Sequence, residues 1–291
     1  MDVAILGGGR GWHAAQLERA LQARGHRLSV LRIAALAARI GGRPRLSSRG
    51  VSIEDFHAVL PRYIPKGSLE QVIFRVDALH WLEHLGIAVM NPASAIERTV
   101  DKFYTSALLE RAGLPTPRTV VAERTQDAMA AFAELRDVIV KPLFGAGGHG
   151  MVRVDDEEIA HRVFRALELE RAVYYLQEAL PHEGRDVRAF VVGDRVVAAA
   201  WRCAPGWRTN VAQGARVERA ELPHAWQELA VRASRAVAAE YGGVDLLPLA
   251  DGRVFILEVN SIPAWQGLQS VAEVDVAAAL VEHLEGLIRC R

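Results

Sequence analysis

The chain has 291 residues, 51% apolar and 24% charged, so it can bury a sizeable core and is too apolar for a disordered or fibrous class. Thirty-five basic residues balance thirty-five acidic ones, which excludes a global field that would recruit nucleic acid or an anionic membrane surface. The basic set is thirty-two arginines and only three lysines: Lys66, Lys102 and Lys141.

The opening run Met1-Asp2-Val3-Ala4-Ile5-Leu6 lacks a basic flank and a small-residue cleavage site, so it reads as a strand rather than a signal peptide. No stretch approaches the roughly 18 apolar residues that span a bilayer. Cys203 and Cys290 stand far apart, outside any CxxC or metal-type spacing, which points to a reducing, cytoplasmic setting.

Strand and helix alternate through the first ninety residues. Strands are expected over 3–6, 28–32 and 58–60, and helices over 12–24 and 69–85, the last ending at Gly86. This alternation predicts a parallel sheet with helices on its faces. Residues 39–50, rich in Gly, Arg, Ser and Pro, read as a solvated surface loop, with a mobile arm that meets an anionic substrate as the alternative. Gly9-x-Gly11-x-x-Ala14 follows a strand and opens a helix, as a dinucleotide fingerprint requires. The next strand, however, ends in Leu31-Arg32, without an acid for the ribose hydroxyls of NAD. An NADP site using Arg32 is the weaker branch; the stronger one is a tight turn able to touch an anionic substrate group.

The texture changes at Asn91-Pro92. A helix over 99–112 is stopped by Gly113, Pro115 and Pro117, and a strand over 138–140 then leads to a glycine-rich loop over 144–150. A strand over 151–154, a helix over 156–170 and a strand over 173–176 follow. Two hairpin-like pairs come next, 188–192 with 195–201 around Gly193-Asp194 and 244–249 with 253–259 around Asp251-Gly252, separated by a helix near 226–241.

A two-residue turn at Asp251-Gly252 would set Asp245 opposite Glu258, with Asn260 on the same face. Opposed carboxylates repel unless a cation lies between them, and hard oxygen donors suit Mg²⁺. The alternative is that the two splay to solvent or meet arginines, and Pro248 signals an edge or a bulge. Lys141 closes a strand beside Gly145, Gly147, Gly148 and Gly150, whose backbone N–H groups can wrap phosphate while the lysine supplies a point charge. A plain glycine hairpin is the competing reading. Gly150 is followed by Met151-Val152, so a Walker A loop is rejected. His149 is a candidate phosphate contact, and no serine or cysteine nucleophile motif appears.

In order and spacing these pieces resemble the ATP-grasp superfamily, and within it the RimK-type α-L-glutamate ligases. The stretches that carry the resemblance are Asn91-Pro92 through Asp101-Lys102, Val138 through Gly150, Leu176-Gln-Glu-Ala-Leu180 and Arg185-Asp-Val-Arg188. Further along they are Trp201-Arg202, Arg208-Thr-Asn210, Gly243-Val-Asp245 and Leu257 through Pro263, and in the first lobe Val59-Leu-Pro-Arg62.

The resemblance implies an α/β ATP-grasp fold with a Rossmann-like N-terminal domain over 1–92, a connecting helix over 93–117, a small α+β lid over 118–176 and a C-terminal α+β core with the metal site over 177–291. It implies that Lys102 and Lys141 reach ATP phosphates under the loop carrying Gly145, Gly147, Gly148 and Gly150. Gln177, Glu178, Ala179 and Leu180 would line the adenine pocket, with Glu178 and Asp186 toward base edge and ribose. Asp245, Glu258 and Asn260 would hold two Mg²⁺ ions, bridged by Glu258, with Mn²⁺ able to substitute. Arg188, Arg202, Arg208 and Asn210 would surround the transferring phosphoryl group.

The implied activity is ATP-dependent ligation of a carboxylate to an amine through an acyl phosphate, adding L-glutamate to an acidic small-molecule acceptor such as a pterin- or furan-type one-carbon cofactor. A protein C-terminus or another amino acid is the alternative within the class; an NADP-dependent oxidoreductase or a non-catalytic nucleotide-binding module is the alternative outside it. Neither nucleic acid nor membrane is an expected partner, and a homo-oligomer is compatible with the pattern. Where such enzymes usually carry Pro-Gly, this chain has Pro263-Ala-Trp-Gln-Gly-Leu268, which looks like the tetrahydromethanopterin-type branch. Trp265 would either stack on an aromatic acceptor or pack at a helix start. Compact ammonium groups suit a site under a closing loop better than planar guanidinium groups, which gives Lys102 and Lys141 a reason and leaves Lys66 as a surface residue.

Overall fold

The computed structural model describes residues 1–145 and 147–290. The first unit runs β1 (Asp2–Gly7), α1 (Trp12–Ala23), β2 (Arg27–Arg32), β3 (Leu36–Ala38), β4 (Leu46–Ser48), β5 (Val51–Ser52), β6 (Ala58–Pro61), α2 (Leu69–His84) and β7 (Ala88–Val89). Four of these strands form a parallel sheet in the order β2-β1-β6-β7. Val3, Ala4, Ile5 and Leu6 are all buried, as expected of a parallel strand covered on both faces. Ser68 and Gln71 form a capping box that starts α2.

The expected loop over 39–50 is only partly one. Leu46–Ser48 is the middle strand of a small antiparallel sheet, β3-β4-β5, because Leu46 is fully buried with Leu31, Ile33 and Ile53.

The single helix expected over 99–112 is two, α3 (Ala93–Val100) and α4 (Lys102–Arg111). Asp101 ends the first and caps the second, its carboxylate accepting from the Tyr104 N–H at 3.1 Å. The junction makes Lys102 the first residue of α4.

The middle unit contains β8 (Thr119–Ala122), α5 (Thr125–Leu135), β9 (Val138–Lys141), β10 (Val152–Val154), α6 (Glu157–Leu169) and β11 (Tyr174–Glu178). Its antiparallel sheet, ordered β10-β9-β11-β8, packs against both helices through Phe132, Val140, Phe164 and Leu176. Sequence reading missed β8 and α5.

The last unit contains β12 (Arg185–Val192), β13 (Arg195–Cys203), β14 (Arg216–Arg219), α7 (His224–Ala236), β15 (Tyr241–Pro248), β16 (Val254–Asn260), α8 (Gln266–Gln269) and α9 (Val276–Arg289). Its antiparallel sheet is ordered β14-β13-β12-β15-β16. The helix expected to reach residue 241 ends at Ala236, and Tyr241 opens β15 instead.

Asp245 does stand opposite Glu258, though by a different route from the two-residue turn. The turn holds three residues, with Leu249 N–H bonded to Arg253 O at 2.8 Å, which shifts the ladder by one. A bulge at Leu257 shifts it back, so Leu246 pairs with Ile256 while Asp245 pairs with Glu258.

Asn91 joins the first sheet to the last. Its buried amide donates to Tyr241 O at 2.7 Å and Ser261 O at 2.6 Å, and accepts from the Glu240 and Tyr241 N–H groups. No helix among the described residues is long and apolar enough to cross a membrane.

Candidate active site

One face of the last sheet carries a row of charge. Pairing places Arg188 beside Asp245, Asp245 beside Glu258, and Asp186 beside Arg202. The opposite face carries Val187, Ala189, Val244 and Val259, all fully buried, so alternation separates chemistry from core.

The row is a bonded network at its centre. The Arg202 Nη2 bridges the two acids, lying 2.5 Å from Asp186 Oδ2 and 2.8 Å from Asp245 Oδ2, while its Nε donates to Asp186 Oδ1 at 2.7 Å. Arg188 grips Asp245 through Nε and, at 2.9 Å, through Nη2. Thr209, absent from the expected site, donates its hydroxyl to Asp186 Oδ2 at 2.7 Å. Its position between Arg208 and Asn210 was the available signal. Burial pushes Asp245 toward the neutral form, but two arginines outweigh it and hold its carboxyl below the usual range. Asp186 has only one arginine, and burial pushes it up.

Glu258 differs. It is half-buried, and its carboxylate has no hydrogen bond or ion pair among the described residues. Asn260 Oδ1 accepts from the Ile262 N–H at 2.9 Å.

A cavity of about 650 Å³ lies over this face, between it and the middle sheet. Lys141 enters from the middle sheet and Lys102 from the start of α4. Lys102 Nζ donates to Gly145 O at 2.8 Å, and Lys141 Nζ donates to Gln177 Oε1. Burial lowers the Lys141 pKa to about 8, with Glu258 partly offsetting it, and burial lowers Lys102 as well. Ile139, Leu247 and Leu257 give the cavity an apolar wall. Both Leu257 and Glu258 reach it, because the bulge turns consecutive side chains the same way.

Of the expected site residues, Lys102, Lys141, Gly145, Gly147, Gly148 and the segment Gln177, Glu178, Ala179 and Leu180 line the cavity. Asp186, Arg202, Arg208, Asn210, Asp245 and Glu258 do so too. Gly150, Arg188 and Asn260 do not. Gln177 is buried, Glu178 pairs with Arg118 at 3.2 Å, and Ala179 N–H bonds Asp137 O at 2.9 Å. Arg208 donates to Met151 O at 2.5 Å and stacks on Trp207. Ala146 of the glycine loop lies outside the described residues.

Trp265 follows one of its two expected readings and not the other. Trp265 is 1% exposed, wedged between His13 and Arg62 at 4.5 and 4.6 Å, so it packs inside and presents no face to an acceptor. His13 Nε2 accepts the Trp265 N–H at 3.1 Å, and burial holds its pKa at about 4. Lys66 is exposed, as expected.

Residues 99–284 match the RimK-like ATP-grasp domain, and residues 1–96 match the RimK PreATP-grasp domain. The chain belongs to the RimK-like ATP-grasp family. Among relatives of this RimK-like chain, a tetrahydromethanopterin:alpha-L-glutamate ligase of Methanocaldococcus jannaschii is 41% identical over 218 residues, covering 72% of this chain and 74% of the relative. The ligase of the same name from Methanococcus maripaludis is 32% identical and covers 97% of both chains. A solved structure of the ATP-grasp ligase PsnB with minimal precursor, Mg and ADP superposes with a TM-score of 0.76 at 26% identity, covering 99% of this chain and 98% of that one. The α/β ATP-grasp fold is therefore shown on both counts.

Proposed function

We propose that this RimK-like protein is an ATP- and Mg²⁺-dependent ligase that adds L-glutamate to an acidic small-molecule acceptor of the tetrahydromethanopterin type, acting in the cytoplasm. The lobes are read as 1–92, 93–117, 118–176 and 177–291. The observation that carries the reading is the convergence on one cavity of two lysines and a Glu258 carboxylate that has no partner among the described residues. The two relatives named for this activity support the acceptor class.

The donor set fits the metal. Two carboxylates and one amide oxygen are hard donors that suit an ion keeping water and phosphate ligands, and the Glu258 carboxylate has no hydrogen bond or ion pair among the described residues. Asp245, Glu258 and Asn260 would hold the two ions, Mg²⁺ or Mn²⁺, whose contribution is to offset charge on the phosphoryl group.

The residues then divide the work. Lys102 and Lys141 bind the ATP phosphates beneath the glycine loop, and the segment from Gln177 to Leu180 with Asp186 holds the adenosine end. Arg188 and Arg202 orient Asp245, while Arg208 and Asn210 sit on the loop facing the glycines and receive the transferred phosphoryl oxygens. The acceptor carboxylate attacks the γ-phosphorus and ADP leaves. The glutamate amine then attacks the acyl carbon, loses a proton and expels phosphate. The docked loop excludes water from the acyl phosphate.

The test is phosphate release from ATP and Mg²⁺ with tetrahydromethanopterin and L-glutamate, alone and together. Release that needs both, with a glutamyl mass increment on the acceptor, is the expected result. Hydride transfer without ATP turnover would favour the NADP reading of the Gly9-x-Gly11 turn, and ATP binding with no turnover on any acceptor would favour a binding module.

A further inference from the structure

The hairpin of β3 and β4 holds an imbalance in a neutral protein. From Arg32 to Gly50 there are five arginines, Arg32, Arg39, Arg43, Arg45 and Arg49, and no acid. All five are exposed, and none forms an ion pair among the described residues. Exposed arginines elsewhere commonly have one, as Arg27 does with Asp2, Arg124 with Asp127 and Arg289 with Glu285. The nearest acids in sequence are Glu54, which accepts from the Arg45 N–H, and Asp55.

The hairpin is anchored while its tip is free. Leu46 and Ile53 are fully buried, and Ser48 donates its hydroxyl to Arg32 O at 2.9 Å, but the tip presents Ile40 at 91% exposure between the arginines. The stem grows from the carboxyl end of β2, where Arg32 pairs with Gly7. In the order β2-β1-β6-β7 the chain reverses direction of growth between β1 and β6, and open parallel sheets take ligands outside the carboxyl ends of their strands at that reversal. At the same end Arg62 follows β6 and donates to Pro263 O at 2.7 Å, three residues after Asn260. The stem of the basic hairpin, the strand reversal and the loop after the candidate metal strand therefore share the carboxyl end of the first sheet.

We propose that this hairpin captures a polyanionic acceptor, one that carries several carboxylates or phosphates beyond the carboxylate that reacts. The inference rests on the ligase reading above and names the acceptor's chemical class. A long-range field from unpaired guanidinium groups speeds encounter with such a ligand and is screened by salt.

The test compares the triple variant R39Q/R43Q/R45Q with R27Q/R195Q/R289Q, which removes the same charge elsewhere, and with R39K/R43K/R45K. With tetrahydromethanopterin as acceptor, the hairpin variant should raise the acceptor KM about tenfold and flatten its salt dependence, leaving kcat and the ATP KM unchanged. The control and lysine variants should stay near the parent. Equal effects in the hairpin and control variants would overturn the proposal.

A second measurement needs no turnover: binding of tripolyphosphate and of tri-glutamate to the full chain saturated with Mg²⁺ and ADP. About tenfold weaker binding to the hairpin variant supports capture even if tetrahydromethanopterin is not a substrate, and the preferred probe tells phosphate from carboxylate. Equal binding to hairpin and control variants overturns it. So does binding of double-stranded RNA or anionic vesicles through these arginines when neither small anion depends on them.

Discussion

Glu258 faces Asp245 across the β15–β16 ladder, yet of the two only Asp245 is hydrogen-bonded by side chains among the described residues. Asp245 is held in place by Arg188 and Arg202, whereas Glu258 is left with a free carboxylate toward two lysines. This asymmetry predicts different outcomes for two isosteric changes. Glu258→Gln should fold normally and lose turnover on the order of a hundredfold or more, because the charge it removes serves only the ligand. Asp245→Asn should lower thermal stability as well as turnover, since it takes the carboxylate from the half-buried Arg188 and leaves the buried Arg202 with Asp186 alone. Activity and melting curves measured on both variants check the contrast.

Arg202 separates two buried acids. Arg202→Met would leave Asp186 and Asp245 facing each other with a single arginine remaining, at a cost of about 3–5 kcal/mol in unfolding free energy. Adding Asp186→Leu should recover part of that loss. A double-mutant cycle by denaturant titration measures the coupling, and strictly additive losses would contradict the bridge.

Lys141 gives the protein two opposite pH responses. Its pKa falls from 10.5 in the unfolded chain to about 8, so between those values the unfolded state holds the extra proton. The contribution of this residue to stability therefore rises with pH from about 8 to 10.5. In the proposed role at the ATP phosphates the ammonium form is the binding form, so nucleotide binding should weaken over the same range. Nucleotide affinity followed by titration from pH 7 to 10 should fall in the parent and stay flatter in Lys141→Arg.

The glycine loop is docked against the loop after β13. A Cβ on Gly148, whose φ is +72°, would collide with Asn210 Oδ1, and Gln213 donates to Gly147 O at 3.3 Å. Gly148→Ala should therefore raise the KM for ATP several-fold with little change in melting temperature, because the loop is not part of the core. An unchanged KM would show that the two loops do not act together.

Much of this site was legible because strand alternation and motif order are local. Lys141 beside the glycine loop and the Asp245/Glu258 pair could be placed from spacing, whereas Lys102 was reached only through the resemblance to the RimK-type ligases. The ladder arithmetic reached the right pair through two departures that cancel, a three-residue turn and a bulge, neither of which the Asp251-Gly252 dipeptide reveals. Capture of Asp245 by arginines stood only as an alternative, since Arg188 and Arg202 come from other strands and their reach depends on tertiary register. The strand at Leu46–Ser48 was hidden by the Gly, Arg and Pro around it, although burial of Leu46 outweighs that composition. Trp265 was ambiguous for a related reason: only the assembled contact with His13 and Arg62 decides whether an aromatic side chain faces core or ligand.

The bulge at Leu257 separates two design problems that a regular strand would tie together. In an unbroken ladder the residue before Glu258 would belong to the opposite face, and the size of the apolar wall could not be changed without disturbing the core behind it. Here the wall residue is supernumerary. Removing it would leave Asp245 opposite Glu258 and Leu246 opposite Ile256, so the cavity can be reshaped one residue at a time while the acidic pair keeps its register.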